Sequence, residues 1–421
     1  MFEILTLKNI PIICFLFLFI FTPLVMLPFN IIHILAIVSL IFLLSVYSKR
    51  FFQIIKLPEL FVFITLTFFL TIYTIALNSL STKNFGSTYY AASTILEVLP
   101  CAIFISFVFL EHKIDLNKFY DIILLIGMLQ VTCVILTMIF PGLREWIIAN
   151  SGSEGLEDAY EAVKLFRMYG WARGFTFSMP LFQGLCVIIA FVLGTYKSSK
   201  YYLLIPFFIV SIAVNARIAL ICLFIVPCVV FFFRFKMHPI KQIFSISFVF
   251  LALFFMVQMI QYMAEYSSSY DIWFWLNQGI KEIISFKEGE ATGNLYALTD
   301  KMWFMPNGIY ELIFGTGENV FGRSYMSSDI GYIVNLYYGG LVFSIVLYLS
   351  YFILLIKYYG NNIIEKNISV SIILYLFIAN LKGNVFKPNE VINGVLLLIV
   401  FSIAFRKFYQ TRITDIHDAS S

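Results

Sequence analysis

Three arginines stand beside or inside long apolar runs of the chain. Arg217 lies within the run 201–233, Arg173 precedes the run near 175–195, and Arg323 precedes the run near 330–356. A guanidinium stays protonated and presents a rigid fork of N–H donors that matches phosphate oxygens. Grouped around one cavity, the three arginines predict a site for a pyrophosphate held at a membrane surface.

Each arginine also has a more ordinary role open to it. Arg217 can extend to the phosphate headgroups of lipids. Arg173 can form a surface ion pair with Glu161, and Arg323 can form one with Glu318 or Asp329.

Two carboxylates near Arg323 are candidates for a general base. Asp329 comes directly before an apolar run and is the first choice, and Glu318 is the second. A carboxylate there can take a proton from an attacking hydroxyl. The alternative is that Asp329 only caps the helix expected to begin at Ile330, a position that Asp favours.

Other polar residues fall close to the same predicted region. Glu97 lies within an apolar run and Asn215 lies beside Arg217, so both are candidates for lining a cavity. Lys382 and Lys387, in NLKGNVFKPNE, are candidates for contacts with lipid phosphate. No HExxH pair, clustered cysteines or phosphate-binding GxxxxGK[ST] loop occurs, so we expect no metal and no cofactor.

The elements that position these residues follow from composition. The chain is 61% hydrophobic and only 12% charged, which excludes a soluble domain and predicts an all-α polytopic membrane protein. Apolar runs lie near 10–29, 31–47, 60–78, 91–110, 119–140, 175–195, 201–215, 218–233, 242–262, 330–356, 368–381 and 391–405. They predict about twelve transmembrane helices in a single membrane domain, 1–421.

The run 201–233 is too long for one crossing. As a single helix it would extend about 50 Å, whereas the hydrocarbon core is about 30 Å thick. We therefore expect two short helices that meet at residues 215–217, with the turn below the membrane surface. An arginine at that depth is tolerated where it lines a polar cavity.

Two long segments, about 141–174 and about 263–329, separate the runs. Apolar residues recur at helical spacing near 156–166 and near 272–283, which predicts a short amphipathic helix in each. Loops of this length usually carry function.

Lysines and arginines concentrate in alternate short loops, for example at Lys49–Arg50 and Arg406–Lys407. The positive-inside rule places these loops and both termini in the cytoplasm, and the long segments outside. The net charge of +4 comes from these anchors and gives no reason to expect nucleic acid as a partner.

The order of motifs resembles the Wzy-type family of O-antigen and capsular repeat-unit polymerases. The motifs are ARGFTFSMP after the first long segment, NARIAL opening a run, NGIYELIFGTG, and SSDIGYIVNLYYGG. Arg173 and Gly184 also fit a pattern of an arginine and a glycine described for such polymerases. The related ligases carry a histidine before a glycine pair where this chain has Ser328 and Asp329, which favours polymerase over ligase.

The resemblance implies a metal-independent glycosyltransferase, similar to GT-C-type lipid-linked enzymes, in a bacterial inner membrane with its active site facing the periplasm. Its substrates would be undecaprenyl-pyrophosphate-linked oligosaccharides, and its partners membrane lipids, a chain-length regulator and a flippase. The alternatives are an O-antigen ligase, and a secondary transporter or flippase for a lipid-linked or anionic substrate.

Overall fold

The computed structural model of this chain describes residues 10–23, 30–81, 91–149, 170–173, 177–234, 257–266, 301–321, 327–358, 360 and 362–410, with short pieces at 247, 254, 273, 277–278, 280–281 and 284–285. Every regular element of these residues is helical.

The helices follow the apolar runs of the sequence. In chain order they are α1 (Ile10–Phe21), α2 (Ile31–Ser45), α3 (Ser48–Ile55), α4 (Pro58–Ser81), α5 (Ala91–Glu111), α6 (Leu116–Ile139), α7 (Pro141–Ala149), α8 (Ser178–Tyr196), α9 (Ser199–Ala213), α10 (Arg217–Arg234), α11 (Ile309–Phe314), α12 (Gly331–Tyr358), α13 (Ile363–Ala379) and α14 (Glu390–Tyr409). Residues 257–265 are also helical. α5 contains a π-helical stretch, Thr94–Val98.

Among the described helices, 7 are long and apolar enough to cross a membrane: α4, α5, α6, α8, α10, α12 and α14. α2 and α3, bent by 104°, become another span if they are counted together. α1 and α9 are apolar but shorter. The predicted class, a polytopic α-helical membrane protein, is confirmed, and the total of about twelve spans stays a prediction.

α8 and α14 form the centre of the bundle. Every residue of α8 from Ser178 to Gly194 is buried, and so is every residue of α14 from Glu390 to Phe405. A helix enclosed on all sides is apolar on most of its surface, and in these two the buried polar residues are few. Gly394 lets them approach closely, since a Cβ there would lie 2.6 Å from the Phe182 ring.

The run 201–233 folds as two helices that reverse direction at residues 214–216. The Tyr202 hydroxyl pairs with Thr195 Oγ1 at 2.8 Å, and Arg234 Nη1 donates to Thr195 O at 3.3 Å. α9 therefore begins, and α10 ends, beside the same point of α8. Near the start of α10, Ala219 lies against Gly184 in the second turn of α8. The predicted reversal is confirmed, and the turn lies within the bundle.

α12 is broken at Gly340, whose φ of 69° and ψ of −169° are not helical. The carbonyls of Tyr337 and Tyr338 accept hydrogen bonds from the N–H groups of Thr316 and Gly317, both 2.9 Å long. The Gly339 carbonyl accepts from the Tyr73 hydroxyl at 3.0 Å. Backbone groups released by the break are thus bound by neighbouring segments, as an apolar environment requires. The sequence predicts one span here and no break.

Contacts between helix termini show which termini lie at the same end of the bundle. At one, which we call the cavity end, Arg173 N–H donates to Phe21 O at 3.0 Å, and Gly331 N–H donates to Asn380 O at 2.9 Å. At the other, the opposite end, the Tyr47 hydroxyl donates to Glu111 at 2.7 Å. These contacts confirm the alternation of direction for the helices they join. The side of the membrane that each end faces stays a prediction.

The structure describes only parts of the two long segments. In 141–174 it adds α7, which was not predicted, while the helix predicted near 156–166 lies outside the described residues. In 263–329 the described residues between 273 and 285 are helical, in agreement with the helix predicted near 272–283.

Candidate functional site

A buried carboxylate, Glu390, lies at the cavity end between α8 and α14. Its side chain is 2% exposed and accepts a hydrogen bond from Ser178 Oγ at the first position of α8. Asn389 caps α14 by accepting from Ile392 N–H at 3.0 Å, which leaves Glu390 in the first helical turn. The positive end of the helix dipole stabilises negative charge there.

The charges of Glu390 and Arg173 both act on Lys387, the lysine that precedes α14. Burial lowers the pKa of the Lys387 ammonium, the charge of Glu390 raises it, and the charge of Arg173 lowers it further. Lys387 Nζ also lies 5.6 Å from the centroid of the Phe321 ring, a cation–π distance. Glu390, three residues after Lys387, and Arg173, which is distant in sequence, therefore both act on Lys387 at this end.

The structure places two of the three predicted arginines at the cavity end. Arg173 is exposed and is held by its backbone bond to Phe21. Arg217 is half-buried and begins α10, two residues before the contact of Ala219 with Gly184. Arg323 lies outside the described residues.

Asn215, in the turn before Arg217, is fully buried. Its Nδ2 donates to Ser211 O at 3.0 Å, and its Oδ1 has no hydrogen-bond partner among the described residues. A buried carbonyl oxygen without a partner marks this turn as a polar point inside the bundle.

An open cavity lies beside Lys387. Its lining is mostly apolar with a few polar groups, which is typical of a small-molecule site. α4, the π-helical part of α5, both halves of α12, and the segments 315–321 and 380–389 form its walls. Its lining residues are Thr67, Leu70, Ala91, Thr94, Asn319, Phe321, Val334, Asn335, Tyr338, Phe343, Leu347, Tyr351, Asn384, Phe386 and Lys387.

Two amides of this lining bind each other. Asn384 Nδ2 donates to Asn335 Oδ1 at 3.0 Å, and Asn335 Nδ2 donates to Asn384 Oδ1 at 3.4 Å. Asn335 Nδ2 also donates to the Tyr348 hydroxyl at 3.0 Å. The same hydroxyl accepts a hydrogen bond from Asn380 Nδ2 at 3.2 Å. Asn380 Oδ1 in turn accepts from Val385 N–H at 3.1 Å. This network fixes the orientation of both amides.

Asp329 is paired with the other predicted lysine, Lys382. Lys382 Nζ lies 3.3 Å from Asp329 Oδ2, and in the described part of the chain Lys382 is the partner of this carboxylate. α12 begins at Gly331, so a capping side chain would accept from a backbone N–H of the first helical turn. Among the described residues the Asp329 carboxylate contacts Lys382 instead and makes no capping hydrogen bond, and its role as a base stays a prediction.

The remaining predicted residues lie in two places. Glu318 is half-buried in the segment 315–321, and its backbone N–H donates to Thr316 Oγ1 at 3.1 Å. Glu97 lies in the π-helical stretch of α5, with its Oε1 2.7 Å from His33 Nδ1. Glu97 therefore contacts α2, whereas Thr94 of the same stretch lines the cavity.

Sequence reasoning missed Glu390, Ser178, Asn335 and Asn384. Two of these belong to NLKGNVFKPNE, the stretch that contains both predicted lysines, and Asn335 is a lone amide inside an apolar run. A polar residue inside or at the edge of an apolar run was the signal for all four. What the sequence did not contain was the packing of α8 against α14.

No group of three or more His, Cys, Asp or Glu side chains that could hold a metal occurs in the part of the chain that the structure describes. A scan against protein-family models, a search of curated proteins and a search of solved structures each find no match to this chain.

Proposed function

We propose that this chain is a membrane glycosyltransferase that joins undecaprenyl-pyrophosphate-linked repeat units into O-antigen or capsular polysaccharide. The reaction would take place at the periplasmic face of the inner membrane. The observation that carries the proposal is the position of Lys387, which lines the cavity and is also close enough to Arg173 and Glu390 for their charges to change its pKa.

This arrangement suits a substrate that is anionic at one end and rich in hydroxyls at the other. Among the described residues, the lining holds apolar, aromatic, amide and hydroxyl groups and one lysine, and no carboxylate. Arg173 and Arg217 supply positive charge at the same end of the bundle. Positive charge held where negative charge develops stabilises a departing pyrophosphate more than it stabilises the bound substrate.

The chemistry requires one bond to form and one to break. The acceptor hydroxyl oxygen attacks the anomeric carbon of the donor chain, and the bond from that carbon to the pyrophosphate oxygen breaks. The pyrophosphate leaves with the bonding electron pair, near the arginines. The proton of the hydroxyl passes to a carboxylate, for which Asp329 is the first choice and Glu318 the second.

Glu390 is a further carboxylate at this end and a competitor for the role of base. Asp329→Asn, Glu318→Gln and Glu390→Gln separate the candidates, because an amide keeps the shape of the side chain and cannot accept the proton. Loss of polymer with unchanged substrate binding identifies the base. Near-normal polymer from Asp329→Asn, at wild-type protein level, excludes the first choice.

Purified protein in liposomes tests the function itself. Supplied with lipid-linked repeat units and no nucleotide, it should build a ladder of longer lipid-linked chains and release undecaprenyl pyrophosphate. Lipids that keep one repeat unit would contradict the proposal. A ligase would instead transfer the chain only when a lipid A–core acceptor is added.

One observation favours a transporter as the second candidate. Substrate sites of transporters are often formed by broken helices, and both halves of α12 line the cavity around the break at Gly340. Movement of a lipid-linked substrate across the liposome membrane without change in chain length would favour this candidate.

A further inference from the structure

The two asparagines in the cavity wall retain hydrogen-bonding capacity after their mutual bonds are counted. Each carboxamide has two N–H donors and two acceptor lone pairs. Asn335 uses both donors, on Tyr348 and Asn384, and one lone pair. Asn384 uses one donor and one lone pair. Within the described part of the chain, one donor and one acceptor of Asn384, and one acceptor of Asn335, have no partner.

This remaining set matches a particular ligand chemistry. A hydroxyl both donates and accepts, so neighbouring hydroxyls on a ring can use an adjacent donor and two acceptors at once. Aliphatic lipid chains use none of these groups. Phe321 and Phe386, in the same lining, offer apolar faces against which a sugar ring can pack.

The orientation of the two amides is set before any ligand arrives. Asn335 is 4% exposed, and the Tyr348 hydroxyl that it binds is also bound by Asn380. Amides held by a second layer of hydrogen bonds lose little freedom when a ligand binds. Lys387 lies three residues after Asn384 on the same wall.

We propose that the cavity binds the sugar ring next to the pyrophosphate, with Asn384 and Asn335 holding its hydroxyls and Lys387 contacting the pyrophosphate at the cavity mouth. This rests on the proposed function for the identity of the lipid carrier. It assigns the substrate class of the cavity as a glycosylated lipid pyrophosphate, read at its first sugar.

The test measures binding to the full-length protein in lipid nanodiscs. The probes are undecaprenyl pyrophosphate without sugar, and four versions that carry glucose, galactose, N-acetylglucosamine or N-acetylgalactosamine. For wild type, at least one sugar-bearing probe should bind more tightly than the sugar-free probe. Asn384→Ala should weaken that sugar-bearing probe about tenfold and leave the sugar-free probe unchanged, because only sugar hydroxyls lose a partner.

Three further variants make the result specific. Asn384→Asp keeps the shape of the side chain, removes its N–H donors and should also reduce the preference for sugar. Lys387→Gln should weaken all probes alike. Asn367→Ala removes a buried amide that binds Tyr196 at the opposite end, so it should leave the preference intact.

Other results would overturn the proposal. If no sugar-bearing probe binds more tightly than the sugar-free one, or if Asn384→Ala weakens all probes equally, the cavity holds lipid rather than sugar. If Lys387→Gln changes no affinity, the pyrophosphate does not lie at the cavity mouth. Sugar-dependent binding without polymer would contradict the proposed function and leave this inference standing.

Discussion

The arginines at the cavity end differ from those elsewhere in what surrounds them. Arg173 acts electrostatically on Lys387, and Arg217 begins α10 inside the bundle. By contrast, Arg234 at the opposite end lies 4.8 Å from the Tyr196 ring and binds a carbonyl of α8, which explains it structurally. The proposed reaction therefore requires the first two and not the third.

Replacement of Arg173 or Arg217 by Ala should reduce the rate of polymer formation about a hundredfold or more, as loss of one donor to a developing negative charge does. Lysine should restore little, because its ammonium lacks the planar fork. Polymer ladders measured at equal protein level check this, with Arg234→Ala as the matched control. Full activity in both variants would show that neither arginine takes part in the reaction.

Lys387 should make anion binding depend on pH. A bound pyrophosphate favours the charged ammonium and raises its pKa. The contribution of Lys387 is therefore full below the pKa of the empty protein and is lost as pH rises through the pKa of the bound protein. Burial, with the charge of Arg173, outweighs the charge of Glu390 and lowers the pKa of Lys387 in the empty protein, so the loss should begin below 10.5, the usual lysine value.

Affinity for undecaprenyl pyrophosphate in nanodiscs, measured from about pH 7 to about pH 10, checks this prediction. Lys387→Arg is the control, because arginine stays protonated over the whole range and should give a flat profile. Equal profiles for wild type and Lys387→Arg would show that another group titrates.

At the scale of elements, the sequence predicts where helices lie better than where they break. Apolar runs place the described helices well. The length of run 201–233, with its polar residues, predicts a reversal at 215–217, and the structure has it at 214–216. The break at Gly340 has no such signal, since it depends on Ile313–Gly317 approaching α12 from another part of the chain. The cavity forms because of that approach, so the sequence did not predict it either.

Gly340 itself can be tested as a structural requirement of this break. Its φ of 69° and ψ of −169° lie in a region that is almost restricted to glycine and costs other residues about 1–3 kcal/mol, and a Cβ there would lie 2.3 Å from Ile313 O. Gly340→Ala should lower the midpoint of thermal unfolding in detergent by several degrees. Gly142→Ala, in α7 with nothing within 4 Å of the added atom, should leave it unchanged or slightly higher. Equal midpoints would contradict the requirement.

In the whole molecule, Glu390 and the cavity are held by different helices. Glu390 and Ser178 begin the two most enclosed helices, α14 and α8, which hold their positions by packing on every side. The cavity lies nearer the periphery, against α4, which exposes Phe61, Phe68 and Phe69 as a lipid-facing helix does. A rigid charged site beside a cavity close to lipid suits a substrate that arrives from the membrane.

That arrangement serves the proposed reaction only if the cavity end faces the periplasm. Single cysteines placed at Gly155 and Glu290, in a variant lacking the 6 native cysteines, should react with an impermeant maleimide in cells whose outer membrane is permeabilised. Cysteines at His238 and Asn361 should react only after the inner membrane is opened, because α10 and α12 run from the cavity end to the opposite end, where lysines and arginines collect. The reverse labelling would place the cavity in the cytoplasm. The proposal that this chain polymerises lipid-linked units in the periplasm would then be wrong, whatever ligand the cavity binds.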